Sequence, residues 1–260
     1  MAHTPIEQAF THKAFIAFVT GGDPSVADTR RYINLLARCG VSLIEIGIPF
    51  SDPIAEGPVI QEASLRALES GTTPDALFSL VRTLRETDGL TVPLALMTYL
   101  NPVHHMGYAR FFERAAQSGV DAVIIPDLPF EEQGEVRPWA QAAGVALISL
   151  IAPTSAQRVR RIAAHAQGFI YLVSSLGVTG VRTEITTDIA AIVAEIRAVT
   201  DTPVAVGFGI STPAHVAQMA AQADGVIVGS AIQRLIAEHG QAADQAIESY
   251  VRSMVEALPV

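Results

Sequence analysis

The chain is expected to fold as a single (β/α)8 TIM barrel of the α/β class, one domain over residues 1–260. Three observations predict this. Eight short runs rich in β-branched residues are apolar almost without interruption, as strands covered on both faces must be. Segments with helical apolar spacing separate them, and 260 residues suit eight such units. No Ser/Gly linker, low-complexity tract or compositional break divides the chain. An open doubly wound sheet would show the same alternation, because periodicity does not report closure.

In order, the strands are expected at Phe15–Val19, Ser42–Ile46, Val92–Met97, Val120–Ile125, Val145–Leu150, Phe169–Val173, Pro203–Val206 and Gly225–Val228. Helices are expected at Val26–Arg38, Pro74–Glu86, Arg110–Gln117, Glu131–Ala142, Ala156–Ala166, Ile189–Val199, Pro213–Ala221 and Ala242–Ala257. Ser25, Thr73, Ser155 and Ser211 or Thr212 can cap helix N-termini through their side-chain oxygens. Pro follows two of these caps, at a position where its missing N–H costs nothing. Gly40, Gly119 and Gly144 join helix ends to strands and supply the left-handed conformation needed there. Pro93 and Pro203 mark strand starts, where no ladder hydrogen bond is lost.

Composition excludes several function classes. With a net charge of −9 and no basic run, the chain is poorly suited to nucleic acid or an anionic membrane. No apolar stretch approaches the ~18 residues of a spanning helix. Met1–Pro5 lacks a signal-peptide layout, so the cytoplasm is the expected location. The single Cys39 excludes an internal disulfide and any multi-Cys metal site, and is expected to be a buried, inert thiol. Of 17 basic residues only Lys13 is Lys. It precedes the first strand, on the rim away from a barrel's active face, which disfavours Schiff-base chemistry in this chain. His104 and His105 are expected on a loop, and no histidine has a metal-ligand spacing, so no metal is expected.

Barrel chemistry sits at the C-terminal ends of strands. The second strand runs Leu43-Ile44-Glu45-Ile46-Gly47, so Glu45 shares the inner face with Leu43 and Gly47. A carboxyl there should be held protonated by desolvation and serve as an acid near neutrality. A structural carboxylate bonded to loop amides is the other reading. The following loop, Pro49–Pro58, carries Asp52 and Glu56, which are either a second catalytic acid or solvated loop acids. Gly-rich turns at Gly177–Gly180, Gly207–Ser211 and Gly229–Ala231 follow the last three strands, where such barrels bind phosphate through backbone N–H groups. Carboxylate acid–base catalysis on a phosphorylated substrate remains.

The segment Leu43–Pro53 resembles the signature of tryptophan synthase α subunits, and the resemblance covers nearly the whole chain. It includes Phe18-Val19-Thr20 with Gly22-Asp23-Pro24, Leu96-Met97 with Asn101-Pro102, Asp127-Leu128-Pro129 and the three Gly-rich turns. The resemblance implies retro-aldol cleavage of indole-3-glycerol phosphate to indole and glyceraldehyde 3-phosphate. Glu45 would protonate indole C3 and then act as base. Glu56, standing where the family commonly has Asp, would accept the indole N–H. Phe18, Leu96 and Ile124 match the apolar walls around indole, Tyr171 the tyrosine near the catalytic Glu, and Thr179 a loop threonine beside it. Gly180, Phe208, Gly209, Gly229 and Ser230 match the phosphate pocket. Ser175 replaces an Arg found in some members, so that role is not carried over. The resemblance further implies an αββα complex with a β subunit that holds pyridoxal phosphate and receives indole, with no cofactor in this chain. Pro49, Phe50, Asp52, Asn101 and Pro129 fall at positions of that contact. A stand-alone indole-releasing lyase, a sugar-phosphate isomerase and a regulatory subunit are the alternatives.

Overall fold

A computed structural model describes residues 6–174, 188–207 and 209–259. Its strands are β1 (Ala14–Thr20), β2 (Leu43–Gly47), β3 (Leu94–Met97), β4 (Ala122–Ile124), β5 (Ala146–Ile151), β6 (Ile170–Val173), β7 (Val204–Gly207) and β8 (Gly225–Val228). All pair in parallel, each with its neighbours in sequence, and β8 returns to β1, so the sheet closes. Closure decides against the open doubly wound sheet.

The helices are α1 (Val26–Arg38), α2 (Pro58–Glu69), α3 (Pro74–Glu86), α4 (Leu100–Met106), α5 (Tyr108–Ser118), α6 (Gln133–Ala143), α7 (Ala156–Ala163), α8 (Ile189–Arg197), α9 (Pro213–Ala220), α10 (Ser230–His239) and α11 (Asp244–Val255). Ser25, Thr73, Ser155 and Thr212 each accept an N–H in the first turn of the helix they precede. Gly40, Gly119 and Gly144 have φ of +86°, +91° and +69°, the left-handed conformation their positions require.

Alternation along the strands sorts the core into two layers. Ile16, Leu43, Ala122, Ile148 and Ile227 fill the barrel interior. Phe15, Ile44, Ile46, Val123 and Val226 face the helices and form the larger layer.

The N-terminal rim is closed by a device used twice. Arg85 of α3 donates to Asp121 at 2.6 Å, and Asp121 also accepts the Leu94 N–H that opens β3, at 2.8 Å. Four strands on, Arg197 of α8 pairs with Asp224, which accepts the Val204 N–H opening β7 at 2.7 Å. Pro93 and Pro203 precede these strands, and each gives its carbonyl to the strand before it in the barrel order, at 3.0 and 2.7 Å. Lys13 lies on this rim as expected, donating to the Ala223 carbonyl at 2.7 Å.

Four helical segments depart from the expected pattern. α2 occupies the stretch after the Pro49–Pro58 loop and α10 follows the last Gly-rich turn. α4 contains His104 and His105, which are therefore helical, not on a loop. A short 3-10 turn at Ile6–Phe10 precedes β1. No helix among the described residues is long and apolar enough to cross a membrane.

Candidate active site

Glu45 sits in β2 between Phe18 of β1 and Ala95 of β3 in register. It has no exposed surface, and neither carboxyl oxygen has a hydrogen-bond partner among the described residues. The reading of Glu45 as a carboxylate held by loop amides therefore has no support in the described geometry. Burial alone pushes its pKa to about 8, so the neutral acid predominates at pH 7.

At the C-terminal mouth opens a cavity of about 380 Å³, which Glu45 itself does not line but its register neighbour Phe18 does. Phe18, Tyr171 and Ile227 line it from the strands, and Glu56 enters from the β2–α2 loop. Glu56 is nearly buried, and Tyr99 explains how it is held. The Tyr99 hydroxyl donates to Glu56 Oε2 while accepting the N–H groups of Ile54 at 3.1 Å and Ala55 at 2.9 Å. One hydroxyl thus pins the loop and the carboxylate at its end. Burial raises the Glu56 pKa, and the Tyr99 hydrogen bond opposes that rise. Tyr171 is buried within electrostatic reach of both Glu45 and Glu56, and its own pKa is driven well up by burial and by those two carboxyls.

Across the mouth, Gly209, Gly229 and Ser230 line the same cavity. Gly209 has a φ of +78°, a left-handed turn that a side chain would strain. Gly229 caps α10 and Ser230 begins it, so the free N–H groups of a ten-residue helix point at this end. An anion held there needs no Lys or Arg.

Three expectations need correction. Leu96 faces outward, packed with Ile44 and Ile46 between barrel and helices, and cannot wall the cavity. Its neighbour Met97 lines the cavity instead, because a shift of one residue exchanges the faces of a strand. Pro49 is buried, since the chain continues into the rim beyond β2 with Ile48 bonded to Met97, and it offers no free face to a partner. Ile124 points into the barrel but is wholly buried and does not reach the cavity. Asp52, Asn101 and Pro129 are exposed, and Phe50 is half-buried, stacked on Tyr99 with ring centroids 5.2 Å apart. Thr179, Gly180, Phe208 and Ser175 lie outside the described residues. The site residues not anticipated include Tyr99, Met97, Leu150 and Ile227, all at or near strand ends.

Fold and site define the class: a (β/α)8-barrel enzyme with a fully buried carboxyl in β2 and, at the C-terminal end of the barrel, a cavity lined by Gly209, Gly229 and the start of α10. A family model for the tryptophan synthase alpha chain matches residues 7–258, and the chain belongs to that family. It is 53% identical over 248 residues to the tryptophan synthase alpha chain of Lactiplantibacillus plantarum, covering 95% of this chain and 93% of that one. The corresponding protein of Halorhodospira halophila is 51% identical over 232 residues, with 89% and 85% covered. Among solved structures, the alpha subunit from Legionella pneumophila superposes with a TM-score of 0.88 at 38% identity, 97% of each chain being covered. A chain of the tryptophan synthase a2b2 complex from Pyrococcus furiosus gives 0.86 at 34% identity, with 94% of this chain and 98% of that one covered.

Proposed function

We propose that this chain is the lyase subunit that cleaves indole-3-glycerol phosphate to indole and glyceraldehyde 3-phosphate. The observation that carries the reading is Glu45: fully buried, with a pKa near 8. Neutral Glu45 gives its proton to indole C3 while the ring N–H passes its proton to Glu56. The Glu45 carboxylate so formed takes the proton of the adjacent glycerol hydroxyl. The C–C bond breaks, its electrons return to the ring, and nitrogen recovers its proton from Glu56. Both acids end as they began. The phosphate rests on the N–H groups at Gly209, Gly229 and Ser230, which fixes the reacting carbon over Glu45.

The chain works without a cofactor of its own, since its one lysine is tied down on the opposite rim. Its partner is a β subunit that holds pyridoxal phosphate and receives indole, in an αββα assembly in the cytoplasm. Phe50, Asp52, Asn101 and Pro129 face that partner, joined by Ile54, which is 71% exposed on the Glu56 loop. Product analysis with indole-3-glycerol phosphate tests the reaction: indole and glyceraldehyde 3-phosphate should appear in equal amounts, whereas an isomerase would release no indole. Adding a β subunit should raise the rate at least several-fold. An isolated chain already running at the rate of the complex would mark a stand-alone lyase.

A further inference from the structure

Two helices outside the simple strand–helix repeat flank the C-terminal end of β1. α2 starts two residues after Glu56, and α10 starts at the Gly229–Ser230 anion site. Between them lies the Gly21-Gly22-Asp23 turn, with the Asp23 side chain fully buried. Arg66 of α2 grips both Asp23 oxygens at 2.8 Å through Nε and Nη2. Gln233 of α10 donates from Nε2 to Asp23 Oδ2 at 3.3 Å and is itself wholly buried. Its backbone N–H is bonded to the Gly229 carbonyl at 3.0 Å, one helical turn from the anion site. At the other end, Gln61 of α2 donates to the Glu56 carbonyl at 2.8 Å. The turn cannot slide. A Cβ on Gly22 would lie 1.9 Å from Thr72 Oγ1, and Ser70 Oγ reaches the Gly22 carbonyl at 3.3 Å.

We propose that Asp23, Arg66 and Gln233 are positioning residues that set the span between the anion end and Glu56, and thereby select ligands of matching length. None of the three lines the cavity, yet through α10 and α2 they connect the two groups that must grip one molecule at once. A ligand held at both ends benefits from the second anchor only when the span is right, and a misplacement of about 1 Å costs on the order of 10²-fold in rate. Separate fragments, each using one end, are indifferent to the span.

That difference supplies the test, and the reaction proposed above enters only through the choice of ligand. Gln233→Leu and Arg66→Met are made in the full chain, with Arg66→Lys as the conservative variant. Calorimetry gives the affinities of glycerol 3-phosphate, indole and indole-3-glycerol phosphate, and indole release with the β subunit present gives kcat and KM. Glycerol 3-phosphate and indole should each bind within about twofold of the unaltered chain, while kcat/KM for the joined molecule falls about ten- to hundredfold, mainly in kcat. Arg66→Lys should recover part of the loss. Equal weakening of fragments and joined molecule, or a lower melting temperature with unchanged kcat/KM, overturns the proposal. An unaltered chain that releases no indole refutes the reaction instead, and the joined-against-separate affinities still decide the span. Should Arg66→Met not fold, Gln233→Leu, which leaves the ion pair in place, carries the same comparison.

Discussion

At the N-terminal rim, Asp121 has Arg85 and a strand N–H to hold it, and Asp224 has Arg197 and another strand N–H. At the C-terminal end of the same barrel, Glu45 is more deeply buried than either and has no partner among the described residues. One rim satisfies its acids, Asp121 buried and Asp224 partly so. The other leaves an acid unsatisfied, and burial without a partner costs stability while holding the carboxyl neutral near pH 7. A carboxyl already paired with Arg would hold no proton at neutral pH.

Changing Glu45 gives the largest effect on this contrast. Glu45→Gln should lower indole release by about 10²–10⁴-fold with the fold intact, and retention of a tenth of the rate would refute its role. In the unaltered chain, kcat should fall as pH rises through about 8, where Glu45 loses its proton. Stability follows the same group. Its folded pKa of about 8 stands above the 4.5 of an ordinary glutamate, so the folded chain keeps a proton that the unfolded chain gives up. The contribution is complete below 4.5 and is lost progressively as pH rises to about 8. Melting temperatures of Glu45→Gln should therefore gain on the unaltered chain across that window. A constant difference between the two would contradict the raised pKa.

At the opposite rim, the effect should fall on stability and spare chemistry. Asp121→Ala leaves the Arg85 guanidinium, 9% exposed, without its counter-charge. Chemical denaturation should show a loss of about 3–5 kcal/mol, while kcat per folded molecule and its pH limb stay unchanged. A shifted pH limb would mean that the two rims are not independent.

The smallest effect sharpens the picture of the mouth. Tyr99→Phe removes the hydroxyl shared by the Ile54 and Ala55 N–H groups and by Glu56. Steady-state indole release should drop about tenfold, as for the loss of a charge-assisted hydrogen bond, with the limb near pH 8 unmoved. A limb that moves with this variant would place Glu56, not Glu45, at the titrating step.

Most of the barrel was legible because its signals are local. Thr73-Pro74 and Thr212-Pro213 announce α3 and α9, and the three C-capping glycines end their helices as expected. Glu45 was legible because one charge interrupts an otherwise apolar strand. Leu96 was not, because Leu94-Ala95-Leu96-Met97 is apolar on both faces and carries no mark of which side is inward. α2 and α10 had weaker signals that could have been used: Gly57-Pro58 before Ile60, Ala63 and Ala67, and Ile232 with Ile236. Tyr99 was out of reach, since its importance lies in contacts with a loop more than forty residues earlier in the chain.

Lys13 has a practical consequence. It supplies the chain's only side-chain amine, and it lies on the rim opposite the cavity. A reagent that acylates amines therefore has one side-chain target in the chain, besides the α-amine, and that target lies on the rim opposite the cavity. A dye, bead or surface attached there leaves the mouth and the exposed Asp52, Ile54 and Asn101 facing outward, so tethered copies keep the cavity and that loop surface open.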